Sequence, residues 1–541
     1  MNTFMKRTTI GSVMQGLCYG FAALLFAASC ANDDTVQEGK QKENNIPAGA
    51  TVFTGTSQPG TTTRTAILNH TKGSGASVNW SSSDKIWVKD DAGTWQQSGA
   101  AVFPFTNNSS FAKFGLSGTY TGTSHDILYT NKAVTGSQPQ VVIKATQTQS
   151  APNNFDHAGE SGDCGIATAS KVNNGYAFTL NHKAAYLCFI PRSSNPYVNR
   201  SKLIKIEIMC DDDIAGTYNM AADGTLTLAS GGSKTITVTT GSGFAIDNST
   251  EDMSKNATYA VVAPGTHTFR IRYWLRNTTD YKTYGWPATA IEGTISKYVT
   301  VNCTAGSIHD ITANLNPHDY DGDQYYMWDA QQQYWAGYEW TKNLPAMEGQ
   351  PTLANGKSEN FAKNSSDNRF CNSYFPGPGI PNPATHASCK DLPNANEISW
   401  YTMKGDPRWD GDELWTTMGH LYKGGMWFKR KAVLKAEGNY NIEHSADGNT
   451  DLRRTRVNYY QNNSLTSGLP SVESINNYFY LPAQGYYAVG FFYNTGYAGH
   501  YWSSTGSTEA GGAAFYLYFS SHNVQTILIS GNFGFRVQGF K

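Results

Sequence analysis

Charge is sparse in this chain: Asp, Glu, Lys and Arg make up 15% of 541 residues, and 41 basic against 42 acidic side chains leave a formal net charge of -1. No basic block is dense enough to neutralise a row of phosphates, which argues against nucleic acid as a partner. Cysteine is scarce too, eight in all, and no CxxC pair is followed by a second, so the spacing of a structural zinc site is missing. No acid, base and nucleophile converge in the sequence, so no catalytic residue, cofactor or metal is assigned and the chain is read as a non-enzyme. His500 and His522 stand alone in polar strand-like text and are read as solvated or satisfied side chains. What is abundant is Gly, Thr, Ser, Asn and Tyr, a profile that suits secreted β-proteins better than cytoplasmic α/β enzymes.

The N-terminus reads as a targeting segment. Lys6 and Arg7 form a positive region, and "GLCYGFAALLFAAS" is too short for a spanning helix and ends in small residues before Cys30. "AASC" resembles a bacterial lipobox, which makes Cys30 the expected lipidation site and the lipid the expected membrane contact. An ordinary cleavage site with an incidental cysteine is the alternative. The polar stretch after Cys30 carries no apolar period and is expected to be a disordered tether over 30–49. Asp33 and Asp34 resemble the acidic surface-export signal of Bacteroidota lipoproteins, and Asp34 to Val36 resembles the short O-glycosylation sequon of those bacteria.

From Ala50 to about Leu315, short alternating runs such as "DKIWVKD", "QVVIKAT", "LIKIEIMC" and "HTFRIRYWL" are separated by Gly, Asn, Asp and Ser turns. That spacing predicts β-sandwiches rather than βαβ units, and a renewed strand pair after "VNNG" places a division near 180. Composition then shifts. Of 13 Trp, eight follow residue 317, and helix-compatible text around "LPNANEISWYTMKGD" precedes strands "YFYLPAQGYY", "AAFYLYFSS" and "VQTILIS". A mixed α+β domain is expected there. The expected order is signal 1–29, tether 30–49, sandwiches 50–180 and 181–316, and a last domain 317–541.

Several stretches in this order resemble the fimbrillin family, the pilus subunits of Bacteroidota: "VFTGTS…TTTRT", "VNWSSSDKIWV" with Trp80 and Asp84, "FTLNHKAAYLCF", "YAVVAPGTHTFRI" and "GSIHDITANL". The resemblance covers about residues 50–315 and implies two transthyretin-like β-sandwiches. Residues 317–541 resemble instead the lectin-like major paralogous domain of surface proteins from the same bacteria, through "LPNANEISWY", "YFYLPAQGYY", "GHYWSST", "AAFYLYFSS" and "GFRVQGF". That implies a C-type-lectin-like shape and no particular ligand. The overall expectation is a mainly β fold.

The last domain departs from its chemically active relatives. No Cys follows Cys389, so the C-terminal thiol chemistry of formylglycine-generating enzymes has no nucleophile. "YWSS" stands where calcium-binding lectins carry a Trp-Asn-Asp strand, so hard oxygen ligands are missing. "DYDGDQYYMWD" and "RWDGDELW" are read as turns rather than calcium loops. Cys371 and Cys389 flank a Pro- and Gly-rich loop and are the expected disulfide, while Cys188 and Cys210 are expected to be free buried thiols. Trp400, Trp427 and Trp502 are read as core. Ligand contact is expected on the loops 404–413 and 485–500, with Trp409, Asp410, Asp412, Tyr486 and Tyr487 as candidates.

These readings predict a lipid-anchored outer-membrane precursor of a pilus subunit, a tip or accessory one, that binds other pilus subunits and adheres through its last domain to a surface glycan or protein. A non-polymerising lipoprotein that captures such ligands is the alternative. Fimbrillin-type assembly implies that the segment 50–63 is a removable first strand, freed by cleavage at Arg64 and replaced by a neighbour's strand. At the other end, Phe533, Phe535 and Val537 alternate with Gly534, Arg536 and Gln538, the pattern of a strand half-buried in its own sheet.

Overall fold

The computed structural model describes residues 46–540 apart from 57–65, 69, 74–76, 106–108, 280–289, 345–348, 354–355, 462–464 and 510. Cys30 and Arg64 lie outside the described residues, as do the signal segment and most of the tether. Among the described residues, no helix is long and apolar enough to cross a membrane.

The chain is mainly β, as its alternation predicts, and folds into several sheets. In the first, the order is Trp95–Gln97, Trp87–Lys89, Ser124–Tyr129, Gly165–Val172, Gly175–Thr179, Thr51–Thr56, Phe111–Leu116, with Asn181–His182 beside Gly165–Val172. Its inward residues form one aromatic core, including Phe53, Trp80, Phe114, Tyr176 and Phe178.

A second, larger core lies between a three-stranded sheet (Thr258–Val262, Ala185–Arg192, Ile308–Asn314) and a nine-stranded one. Ala185–Arg192 has seven consecutive buried residues because it is the central strand of its sheet, covered on both faces. Strand pairing crosses the boundary expected near 180. Gln140–Ile143 pairs with Ala215–Met220, and Thr146–Thr148 pairs in parallel with Thr235–Ala245. Val141 and Ile143 are buried in the second core, which is what draws this segment across.

Pairing crosses the boundary near 316 as well. The nine-stranded sheet runs Thr146–Thr148, Thr235–Ala245, Lys202–Met209, Gly265–Asn277, Ile291–Cys303 and continues into Arg408–Thr417, His420–Lys429 and Tyr478–Pro482, with His318–Tyr320 beside Arg408–Thr417. The join is one parallel bridge, Thr294 to Glu413.

An eight-stranded sheet completes the last part, with Ala498–Gly506, Ala513–Ser520 and Val524–Ser530 as its antiparallel centre. A helix, Ala395–Lys404, packs on it. The helix starts at Asn394 through a full capping box: the Asn394 side chain accepts from Glu397 N at 3.0 Å, and Asn394 N donates to Glu397 Oε2 at 2.8 Å. "GHYWSST" lies in the strand Ala498–Gly506, and Trp502 is fully buried with its Nε1 donating to Tyr326 O at 2.8 Å. Trp400 is buried too, while Trp427 is only partly so.

Candidate functional site

Thr51–Thr56 is the first described strand, and it is held on both edges. It runs antiparallel to Phe111–Leu116 over six residue pairs, and parallel to Gly175–Thr179 over four. Phe53 anchors it: the ring is fully buried, stacked on Tyr176 at 4.7 Å and edge-on to Tyr120 at 5.1 Å. Gly55 is required by close approach, since a Cβ there would stand 2.8 Å from the Trp80 ring and 2.9 Å from Phe178. Taking this strand out would leave two rows of backbone groups unpaired and uncover Phe114, Tyr176 and Phe178.

The other chain end is fastened. Phe535–Arg536 pairs with Tyr325–Tyr326 and, in parallel, with Tyr501. Phe535 is 1% exposed and stacks on Trp502 at 4.4 Å. Arg536, expected on the open face, is buried instead. Its guanidinium lies over the Tyr325 ring at 5.1 Å and donates to the Asp321 carbonyl, because Tyr325–Tyr326 and the turn before it cover that face.

The candidate ligand residues fall into two places. Trp409, Asp410 and Asp412 lie on the strand Arg408–Thr417, where an Asp-Gly turn was expected; pairing with His420–Lys429 is interrupted between Asp410 and Leu414. Asp410 is buried and accepts from Arg272 Nη2 at 3.0 Å. Asp412 is half-exposed, 3.5 Å from Lys423 Nζ and 3.8 Å from Arg272 Nη2. Glu413 accepts from Ser296 N at 3.0 Å and Ser296 Oγ at 2.7 Å. These acids therefore seat the last part against the second sandwich. Burial, and then the Asp410 carboxylate, push the Glu413 carboxyl up to about 7. Beside it opens a cleft of about 410 Å³ walled by Tyr298, Tyr320, Trp415, Trp427 and Tyr480.

Tyr486 and Tyr487 are neighbours on Gln484–Ala488 and point opposite ways. Tyr487 is fully buried and donates to Pro351 O at 2.7 Å, so it is core. Tyr486 is partly exposed and packs on His500 at 4.5 Å. His500 is neither solvated nor fully satisfied: it is buried among aromatic rings, its Nδ1 has no partner, and burial lowers it to about 3. Exposed aromatics that were not singled out from sequence are Trp340 at 75%, Tyr374 at 65% and Tyr497 at 66%. Their exposure is a matter of loop placement, which local pattern does not encode.

Cys371 and Cys389 are not joined. All six described cysteines are free and buried, and these two sit in separate hydrophobic clusters, with Cys389 Sγ accepting from Asp329 N at 3.3 Å. "DYDGDQYYMWD" does form a turn, whose Asp321 and Asp323 hold Lys342 at 3.6 and 2.7 Å. Among the described residues, two mixed groups could hold a metal: His70 with Cys188 and Asp310, and Cys210 with Asp212 and His267. In the second, both ring nitrogens of His267 are already engaged, Nδ1 with Asp212 at 3.1 Å and Nε2 with Ala263 O at 3.3 Å.

No family model and no curated protein matches the chain. Among solved structures, a "putative cell adhesion protein" of Bacteroides ovatus ATCC 8483 is similar over 49% of this chain and 92% of its own, at 11% identity and a TM-score of 0.29. The fimbrial anchor protein Mfa2 of Porphyromonas gingivalis is similar over 49% and 90%, at 8% identity and a TM-score of 0.22. A fimbrial protein of Bacteroides ovatus ATCC 8483 is similar over 90% and 99%, at 10% identity and a TM-score of 0.22.

Proposed function

We propose that this chain is a cell-surface fimbrial subunit that accepts a neighbour's β-strand in the slot now filled by Thr51–Thr56. One observation carries the reading: the N-terminal strand is hydrogen-bonded on both sides within a sheet, so a single cut in the segment that follows it frees a complete strand. Arg64 is the proposed cut, and an incoming strand would re-pair both edges and cover the aromatic floor. Cys30 is the proposed lipid anchor of the precursor, at the outer membrane. Donating Phe535–Arg536 to a neighbour would uncover Trp502 and Tyr325, and on that ground an end position in the fibre is proposed. The last domain would then be outermost and adhesive without catalysis, with Trp340, Tyr374 and Tyr497 joining Trp409, Asp412 and Tyr486 as contact residues for glycan or protein.

Limited trypsin digestion of the purified chain tests this. Cutting at Arg64 should be followed by association, seen by sedimentation, and excess peptide of sequence "ATVFTGTSQPGTTT" should block it. Resistance at Arg64, or cutting without association, would overturn strand exchange and favour the non-polymerising capture lipoprotein.

A further inference from the structure

Three strands of the second sandwich place a row of polar side chains on one face. Cys188 lies on the central strand Ala185–Arg192, opposite Tyr259 on one neighbour and Asp310 on the other. The segment 70–73, after the strand Ala66–Leu68, lays His70 over this row. It is tied down by Gly73 N, which donates to Asp310 Oδ2 at 2.8 Å, and by Lys72 with Glu251 at 2.5 Å. His70 is 4% exposed, and Cys188 and Tyr259 are fully buried.

The hydrogen bonds around His70 orient its ring. The Tyr259 hydroxyl donates to Asn153 Oδ1 at 2.5 Å, so its oxygen accepts from His70 Nδ1–H at 3.1 Å. Nε2 then presents a lone pair to Asp310 Oδ1, 3.5 Å away, too far for an ordinary N–H···O bond. That carboxylate oxygen is buried beside the Cys188 thiol. An imidazole nitrogen, a carboxylate oxygen and the Cys188 sulfur thus converge within 4.8 Å of one another.

We infer that His70, Cys188 and Asp310 bind a zinc-type divalent cation. One sulfur, one nitrogen and one oxygen suit the borderline-soft, tetrahedral ion. At metal–ligand lengths of about 2.0–2.3 Å, the edges of such a tetrahedron are about 3.3–3.8 Å, and the 3.5 Å nitrogen–oxygen separation falls among them. Thiolate and carboxylate together cancel the charge of the ion, and binding it releases the Cys188 proton to solvent. The Tyr259 contact to Nδ1 is the outer-shell bond that a metal-bound histidine usually makes. Asp310, 13% exposed at its side chain, is the ligand nearest to solvent. The bound ion would fasten the segment 70–73 onto the second sandwich. This inference is independent of the strand-exchange reading.

The test uses the full chain, stripped of metal and titrated with Co(II) and with Zn(II). The expected result is about one equivalent of Co(II) giving a thiolate-to-metal charge-transfer band, which Zn(II) displaces, with a higher melting temperature in Zn(II). His70→Gln, Cys188→Ala and Asp310→Asn should each weaken binding more than tenfold, and Cys210→Ser should leave it unchanged. Where Cys188→Ala fails to fold, Asp310→Asn carries the comparison, with circular dichroism as the folding check. Absence of the band, or a band lost in Cys210→Ser and kept in Asp310→Asn, would overturn the site.

Discussion

Arg272 and Asp410 meet in a buried ion pair, Nη2 to Oδ1 at 3.0 Å, that joins the second sandwich to the last part of the chain. Arg272 Nη2 also donates to Thr294 Oγ1 at 3.0 Å, and Trp427 Nε1 donates to Asp410 at 3.3 Å. Removing one partner leaves the other charge buried without compensation. Arg272→Met should therefore cost about 3–5 kcal/mol, read as a lower denaturation midpoint in urea. Arg272→Met with Asp410→Asn should recover a good part of that loss; a double variant no better than the single would mean the pair is not what holds the seam.

Glu413 makes the same seam sensitive to pH. Its folded carboxyl titrates near 7, raised by burial and by Asp410, whereas the unfolded carboxyl titrates in the ordinary range. The folded state thus binds the proton more tightly, and this contribution, full at low pH, is lost as pH rises toward and through 7. Stability relative to Glu413→Gln should fall between about pH 4.5 and 7. Parallel denaturation curves for the two proteins across that range would show the slope to have another source.

His500 works in the opposite sense. Burial among Tyr486, Tyr518 and Phe535 lowers it to about 3, so the folded ring stays neutral while the unfolded one takes up a proton. Its contribution is complete above the unfolded value of 6.5 and is lost as pH falls toward the folded value. Replacement by Phe should make the chain less sensitive to acid between pH 6 and 4. An imidazole NMR signal that titrates near 6.5 in the native protein would contradict this.

The helix cap gives a smaller, local test. Asn394→Ala removes the acceptor for Glu397 N and the bond to Ile442 O at 3.1 Å. The expected loss is about 1–2 kcal/mol, with Asn394→Asp recovering the cap but not the Ile442 bond. A loss below a few tenths of a kcal/mol would mean that packing on the sheet alone holds the helix.

In the first sheet, Phe53→Ala should cost about 3–5 kcal/mol, the usual range for emptying a buried aromatic site. The same change should make Thr51–Thr56 exchange its amide hydrogens faster than Phe111–Leu116. Equal protection of the two strands would show that the strand is not released separately.

Elements governed by neighbours in sequence could be read without the fold. The β-branched and aromatic runs "QVVI" and "AAFYLYFS" give strands because such side chains suit a pleated, packed surface wherever the sheet is placed. Asn394 and Glu397 mark a helix start because both halves of the box close within one turn. The burial of Trp502 followed from its place in such a strand. Features governed by partners far along the chain could not be read. "RWDGDELW" carries a local turn signal, yet Arg272 and Ser296 neutralise and bond its carboxylates, and the segment extends as a strand. Gln140–Ile143 reads as part of the first sandwich until Tyr218 and its neighbours supply an edge to pair with. The disulfide expected from the spacing of Cys371 and Cys389 is absent because packing sends the two thiols into different clusters. His70, Cys188 and Asp310 have no spacing that any motif would detect. Sheet registry brings Cys188 beside Asp310, and the contacts of Lys72 and Gly73 set His70 over both, so the convergence of nitrogen, sulfur and oxygen exists only in the tertiary structure.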